Sequence, residues 1–279
     1  MSVHELMKIF YFNRLAARVF TKDPDGWLIK GGQALLVRYR GAARLSQDID
    51  LQCTEPDRSA EDARQLVIAA ASYDLGDYLR YAPSRFEEHS DEGRGGAQHF
   101  QVFLGPQQVD TIKVDLVVGR TLAGTPETRT LKSAVDLEWP VDWPLVHLYP
   151  VIDHITDKIC AMYERHGLVG QHGSNRYRDL ADLLLISQQE TVPGPAVHQA
   201  LHRETDRRRT DGINVLLPPA FQAPGPDWHD GYPQQAQLVI GLRGCRSFPE
   251  AAQAAGAFLN PLLDGTVNGM WNPHQAAWN

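Results

Sequence analysis

Trp27-Leu28-Ile29-Lys30-Gly31-Gly32, then Gln33 to Tyr39, then Arg44-Leu45-Ser46-Gln47-Asp48-Ile49-Asp50-Leu51-Gln52-Cys53: this stretch decides how the chain is read. A short apolar run stops at two glycines, and the residues after them are helix formers with apolar positions on one side. That predicts a strand, a glycine turn and a helix. Arg40-Gly41-Ala42-Ala43 makes a loop. From Leu45 to Cys53, Ser46, Asp48, Asp50 and Gln52 alternate with Gln47, Ile49, Leu51 and Cys53, so a second strand is expected to carry both aspartates on one face. Carboxylates two positions apart on a strand stand about 7 Å apart along the backbone. They can share a pair of divalent cations, with one activating an attacking hydroxyl and the other steadying a triphosphate and its departing pyrophosphate. The glycines let backbone approach phosphate oxygens, and N–H groups at the start of a helix face negative charge. An isolated Asp-x-Asp mostly marks a solvated strand face. The glycine turn upstream is what makes this one a candidate triphosphate cradle.

Working outward, Val3 to Phe20 has helical spacing and is broken by Asp23-Pro24-Asp25-Gly26. Downstream, a helix is expected over about Ala60 to Leu75, an exposed loop over Ser90 to Gly96, and strands over Ala97 to Leu104 and Ile112 to Val118. Asp115 stands in the last of these among apolar neighbours. A lone carboxylate there is costly unless a cation meets it, which makes Asp115 the candidate third metal ligand beside Asp48 and Asp50. Asp110, five positions earlier, faces the other side of a regular strand.

From Pro150 the pattern turns helical, with helices expected over Val151 to His166, Arg178 to Gln189, Val197 to Arg208 and Pro249 to Leu263. Pro218-Pro219 and Pro224 to Pro226 mark an irregular connection, and Met270 to Asn279 is expected as extended chain pinned by Trp271 and Trp278. The class is therefore α+β, divided into a mixed domain over residues 1–145 and a mainly helical domain over 146–279 that completes the cleft. On the helix Val151 to His166, Lys158 falls within about 20° of Val151 on the buried side. Arg165, seven residues on, is placed on nearly the same side, so both are candidate phosphate ligands. Asp179 and Asp182, one turn apart on the next helix, can orient Lys158 or take a proton from an attacking hydroxyl. Acidic residues in a first turn also simply favour the helix dipole, and Arg178 can pair with Asp182.

The chain has 279 residues, 43% of them hydrophobic, and a formal charge of −7. That size supports a substantial core, and that charge argues against a protein that coats nucleic acid nonspecifically. Two local basic stretches remain as candidates for guiding RNA, Arg176 to Arg178 and the group Arg203, Arg207, Arg208 and Arg209. No run of about 18 apolar residues appears, and the N-terminus reads as an amphipathic helix rather than a signal segment, so no membrane association and a cytoplasmic location are expected. Cys53, Cys160 and Cys245 show no paired spacing and read as core fillers. His147, His154 and His172 show no metal-ligand spacing.

Taken together, Gly31-Gly32-Gln33-Ala34-Leu35, Arg44 to Leu51, Lys158-Ile159-Cys160-Ala161 reaching to Arg165, and Arg178-Asp179-Leu180-Ala181-Asp182-Leu183 resemble the AbiEii/AbiGii toxin family of nucleotidyltransferases. That family belongs to the DNA polymerase β-like superfamily, which includes the MenT toxins. The match spans roughly Gly31 to Ile186, and the four motifs in this order are far more specific than the first alone. The resemblance implies a polymerase β-like nucleotidyltransferase domain with a mixed sheet, a helical domain after it, and a toxin paired with a cognate antitoxin. It implies that Asp48 and Asp50 bind Mg2+, that Ser46, Gly31 and Gly32 contact phosphates of an NTP, that Lys158 holds the triphosphate, and that Asp179 is the catalytic acidic residue of the last motif. Better-understood members are similar in adding nucleotides to the 3′ end of tRNA. The spacing from Gly32 to Asp48 is longer than in many polymerase β-like enzymes and suits this subgroup. Two alternatives stay open: transfer to an aminoglycoside, a cationic acceptor that an acidic surface suits, or to a protein side chain, and a catalytically silent, antitoxin-binding relative, against which the intact Asp48, Asp50, Lys158 and Asp179 count.

Overall fold

The computed structural model describes residues 2–89, 95–132, 142–167, 170 and 172–279. The chain divides into two compact units, one of residues 1–41 and 45–149, the other of residues 42–44 and 150–279.

The first unit begins with α1 (Val3–Lys22), started by a capping box in which the Ser2 hydroxyl accepts from the Glu5 N–H and the Glu5 carboxylate accepts from the Ser2 N–H. From Ile9 to Phe20 every position of this helix is buried, including Arg14 and Arg18. Those two guanidiniums survive burial because both hold Asp77, each at 2.6 Å. The chain continues through β1 (Trp27–Lys30), α2 (Gly31–Tyr39), β2 (Ile49–Cys53), α3 (Ala60–Ala71), β3 (Leu79–Glu88), β4 (Gly95–Leu104), β5 (Gln107–Val117), β6 (Glu127–Thr130) and β7 (Leu145–Leu148). Among the described residues seven strands form one sheet in the order β3-β4-β5-β2-β1-β7-β6. Strand β2 runs parallel to β5 and β1 parallel to β7, while the other pairs are antiparallel, so the sheet is mixed. Ile49 and Leu51 of β2 and Ile112, Val114 and Leu116 of β5 join Phe12, Leu15, Ala63 and Val67 from α1 and α3 in one apolar core. Each of these side chains other than Ala63, fully buried, contributes about 1.5–3 kcal/mol. Strand parity then sends Asp50, Lys113 and Asp115 to the opposite face.

Several expectations shift. Strand β2 starts at Ile49, not Leu45, because Asp50 pairs with Lys30, the last residue of β1, and beyond it the chain turns away into α2. Asp48 and Ser46 therefore precede the strand. The loop expected over Ser90 to Gly96 lies outside the described residues at 90–94, and Gly95 and Gly96 are already paired with Val117 and Leu116. Asp110 pairs with Val102 just before the bulge, in unbroken register with Asp115 and an odd number of positions from it, so it lies on the core side.

The second unit contains α4 (Val151–Met162), the two-residue strands β8 (Arg165–His166) and β9 (His172–Gly173), α5 (Tyr177–Gln189), α6 (Gly194–Thr210), α7 (Trp228–Ala236), α8 (Phe248–Asp264) and the pair β10 (Trp271–Asn272) and β11 (Ala277–Trp278). The tail is thus a short antiparallel hairpin, with Trp278 stacked on Phe258 at 5.7 Å and the Trp271 indole N–H donating to the Ser187 carbonyl at 2.7 Å. The stretch marked by Pro218-Pro219 and Pro224 to Pro226 is irregular as expected, and α7, which was not expected, follows it from Trp228. Helix α4 stops at Met162, four residues before the expected His166, since Glu164 bridges Val215 and Arg165 pairs with Gly173 instead of continuing the helix. Among the described residues no helix is long and apolar enough to cross a membrane.

Candidate active site

In the first unit the parallel register of β2 and β5 sets Asp50 directly beside Asp115. Asp48, just before β2, joins them through Lys113, whose Nζ lies 2.7 Å from Asp115 and 3.5 Å from Asp48. The His89 ring nitrogen Nε2 is 3.4 Å from Asp115 Oδ1, an atom that is buried and accepts no hydrogen bond. Ser46 donates its hydroxyl to Asp48 Oδ1 at 3.3 Å. Burial, then the charges of Asp48 and Asp115, push the Asp50 carboxyl up to about 7, and Lys30 and Lys113 only partly oppose them. Burial likewise raises Asp115. The cluster holds more negative charge than its lysines balance.

Gly31 explains why the glycine turn precedes these carboxylates. Its φ is +58°, and a Cβ at this position would overlap the Asp50 carboxylate. Only glycine accepts both the backbone conformation and the contact. Gly32, the second residue of α2, is buried behind it.

The cluster's donors suit a divalent cation in kind, being hard carboxylate oxygens with one buried oxygen unsatisfied and one carboxyl raised by its like-charged neighbours. They are not yet disposed around one: among the described residues no group of three or more His, Cys, Asp or Glu side chains is arranged to hold a metal ion. What stands between Asp48 and Asp115 is the Lys113 ammonium.

The second unit builds a different cluster. Lys158 on α4 is buried and donates to Asp179 Oδ1 at 2.9 Å and to Asp182 Oδ2 at 2.7 Å, both on α5. Arg44 forks onto Asp182 with distances of 3.2 and 3.0 Å, so Asp182, fully buried, bonds Arg44 and Lys158 rather than the exposed Arg178. Burial disfavours the Lys158 charge, but Asp179 and Asp182 outweigh it and raise its pKa; burial acts against the Asp179 carboxylate, and Lys158, Arg176 and Arg44 together outweigh that and lower its pKa. Asp179 Oδ2 is buried without a hydrogen-bond donor, and the Arg176 guanidinium lies 3.8 Å from it.

The candidate residues thus fall into two groups, Gly31, Gly32, Ser46, Asp48, Asp50 and Asp115 in the first unit and Lys158, Asp179 and Asp182 in the second. Arg165 does not share the helix of Lys158; it sits on β8, with its N–H donating to the Asn214 carbonyl at 2.8 Å. The basic run is largely neutralised. Arg208 is buried against Glu204, Glu164 and Asp157, Arg207 holds Glu204 and Asp211, and Arg209 lies 3.4 Å from Asp206. Sequence reasoning missed Lys113, although its i−2 spacing from Asp115 predicts a shared face. It also missed Arg44 as the partner of Asp182, for which no local signal exists.

Comparison with known proteins adds to this geometry. A family model described as the nucleotidyl transferase AbiEii toxin of type IV toxin–antitoxin systems matches residues 14–260. Among solved structures, MenT4, a nucleotidyltransferase toxin from Mycobacterium tuberculosis, is similar at 15% identity and a TM-score of 0.53, covering 90% of this chain and 89% of that one. An H. pylori protein assigned to the nucleotidyltransferases is similar at 14% identity and a TM-score of 0.50, covering 95% of this chain and 97% of that one. At these identities the two structures speak for the fold. Among curated proteins no relative matches the sequence.

Proposed function

Since the chain belongs to the AbiEii family of nucleotidyltransferase toxins, we propose that it transfers a nucleoside monophosphate from an NTP to an RNA 3′ hydroxyl, that of tRNA, with magnesium as cofactor. The observation that carries this reading is the convergence of Asp48, Asp50 and Asp115 beside a glycine that no other residue can replace.

In this reading Asp48, Asp50 and Asp115 hold magnesium, which when bound supplies the positive charge that activates a hydroxyl and stabilises departing pyrophosphate. The chain's own residues do the positioning. Gly31 keeps the backbone open beside Asp50, and Ser46 restrains Asp48 through its hydroxyl. Lys158 contributes to the triphosphate. An ammonium has three protons, and Asp179 and Asp182 take two of them, which fixes the direction of the third. Asp182 acts through Lys158 rather than on nucleotide. Recognition of the acceptor falls less on Arg207 and Arg208, whose charge is spent internally, than on exposed cations such as Arg176 and Arg178. A cognate antitoxin is the expected protein partner.

The test is incubation of the purified chain with magnesium, each α-labelled NTP and bulk tRNA. Label on the tRNA 3′ end, lost with Asp48→Ala, is the expected result. Label on an aminoglycoside or on protein would replace the acceptor, and absence of both labelling and NTP binding would overturn the enzyme reading.

A further inference from the structure

A second group of ligand-type side chains lies on α6. His198 and His202 are four residues apart, which puts both rings on one helical face. Their Nε2 atoms are 3.2 Å apart, with the ring planes nearly perpendicular at 85°. His198 Nδ1 lies 2.8 Å from the carbonyl oxygen of Leu262 on α8. A carbonyl only accepts, so His198 Nδ1 carries the proton and its Nε2 turns a lone pair toward His202. This is how metal-binding histidines are commonly held, with one ring nitrogen tied to a backbone carbonyl and the other left to coordinate.

Two occupants of the space between the Nε2 atoms satisfy that lone pair, a proton on His202 or a cation shared by both rings. The spacing suits the cation. Two nitrogens at the usual zinc–nitrogen distance of about 2.0–2.1 Å, separated as here, subtend roughly 100°, near the tetrahedral value. Histidines at i and i+4 are also the helical spacing by which paired imidazoles take zinc. Asp264, the last residue of α8, has its carboxylate engaged locally, accepting from Thr266 N at 2.9 Å and Thr266 Oγ1 at 2.7 Å. Gly265, at φ +77°, leaves only glycine beside the His198 ring.

We propose that His198 and His202 form a binding site for a borderline divalent transition metal, zinc above all, with water completing its coordination. Bound there, the ion braces the middle of α6 and, through the His198–Leu262 hydrogen bond, the C-terminal end of α8. Imidazole donors distinguish this site from the carboxylate cluster, whose oxygens select magnesium-type ions. The inference is independent of the nucleotidyl transfer reading.

The experiment is calorimetric titration of untagged, metal-stripped full-length chain with zinc chloride, in excess magnesium so that the carboxylates are met by a hard cation. One equivalent of zinc is expected, with affinity falling at least about tenfold in His202→Ala and unchanged in His147→Ala. Cobalt(II) in place of zinc is expected to give the visible absorption of a four-coordinate ion, absent in His202→Ala. His202 is exposed, so its replacement leaves the fold intact, which circular dichroism checks. Equal zinc affinity in wild type and His202→Ala, or zinc binding lost with Asp48→Asn instead, would overturn the proposal.

Discussion

The carboxylate cluster on the sheet and the lysine-centred cluster of the helical unit use the same ingredients in opposite proportion. Asp48, Asp50 and Asp115 share Lys113, with Lys30 close by and itself over the Tyr149 ring at 4.1 Å. Asp179 and Asp182 meet Lys158 and Arg44, two anions against two cations. One cluster therefore pushes a carboxyl up to about 7, while the other holds Asp179 low and Lys158 high. Charge left in excess is what the proposed cation would balance; charge closed on itself also serves as a strut.

The largest expected effect tests the open cluster. Asp48→Ala should reduce nucleotide transfer by at least about a thousandfold, the equivalent of roughly 4 kcal/mol, with little change in thermal stability, because Asp48 is partly exposed and precedes its strand. A comparable loss of stability would erase the contrast. Next comes the closed cluster: Lys158→Ala strands the buried Asp179 carboxylate and leaves Asp182 to Arg44 alone, and should lower unfolding free energy by about 3–5 kcal/mol, read by urea denaturation through Trp228 and Trp271. A stable but inactive variant would make Lys158 chiefly a ligand group.

A smaller effect separates the two by pH in metal-stripped protein. Between pH of about 4 and 7 native Asp50 keeps a proton that the unfolded chain has released, so stability falls as pH rises, on the order of 1 kcal/mol per unit. Asp179 has the opposite sign: its contribution is present above about pH 3.9 and is lost as pH falls through its lowered native value. Amides of Ile49–Cys53 should therefore lose protection from hydrogen exchange between pH 5.5 and 7.5 while those of Tyr177–Gln189 do not, and magnesium should flatten the difference. The smallest effect concerns a pair belonging to neither cluster. Arg209→Ala, exposed and 3.4 Å from Asp206, should change stability by less than about 0.5 kcal/mol.

Much of this arrangement is legible in the chain because it obeys local rules. The run from Trp27 through Gly31-Gly32 to Tyr39 is strand, turn and helix, and parity alone puts Asp50 and Asp115 opposite Ile49, Leu51, Val114 and Leu116. What escaped depends on distant partners. Strand β3 is mostly exposed, contains Pro83 and exists because β4 pairs with it. Helical spacing carries Arg165 onward from Lys158, but Val215, far along the chain, captures the residue before it. Arg44 reaches Asp182 across 138 positions, beyond any periodicity.

Gly31 and Asp50 compete for one small volume, so their evolutionary fates are tied. While position 50 keeps its acidic side chain, position 31 has a single permitted letter, whatever the selective history of the rest of α2. A descendant that abandoned phosphoryl chemistry and shortened residue 50 would shed part of that restriction, leaving the positive φ of the backbone as the remaining brake. Drift at residue 31 would then record, in a genome, that the weapon had been disarmed.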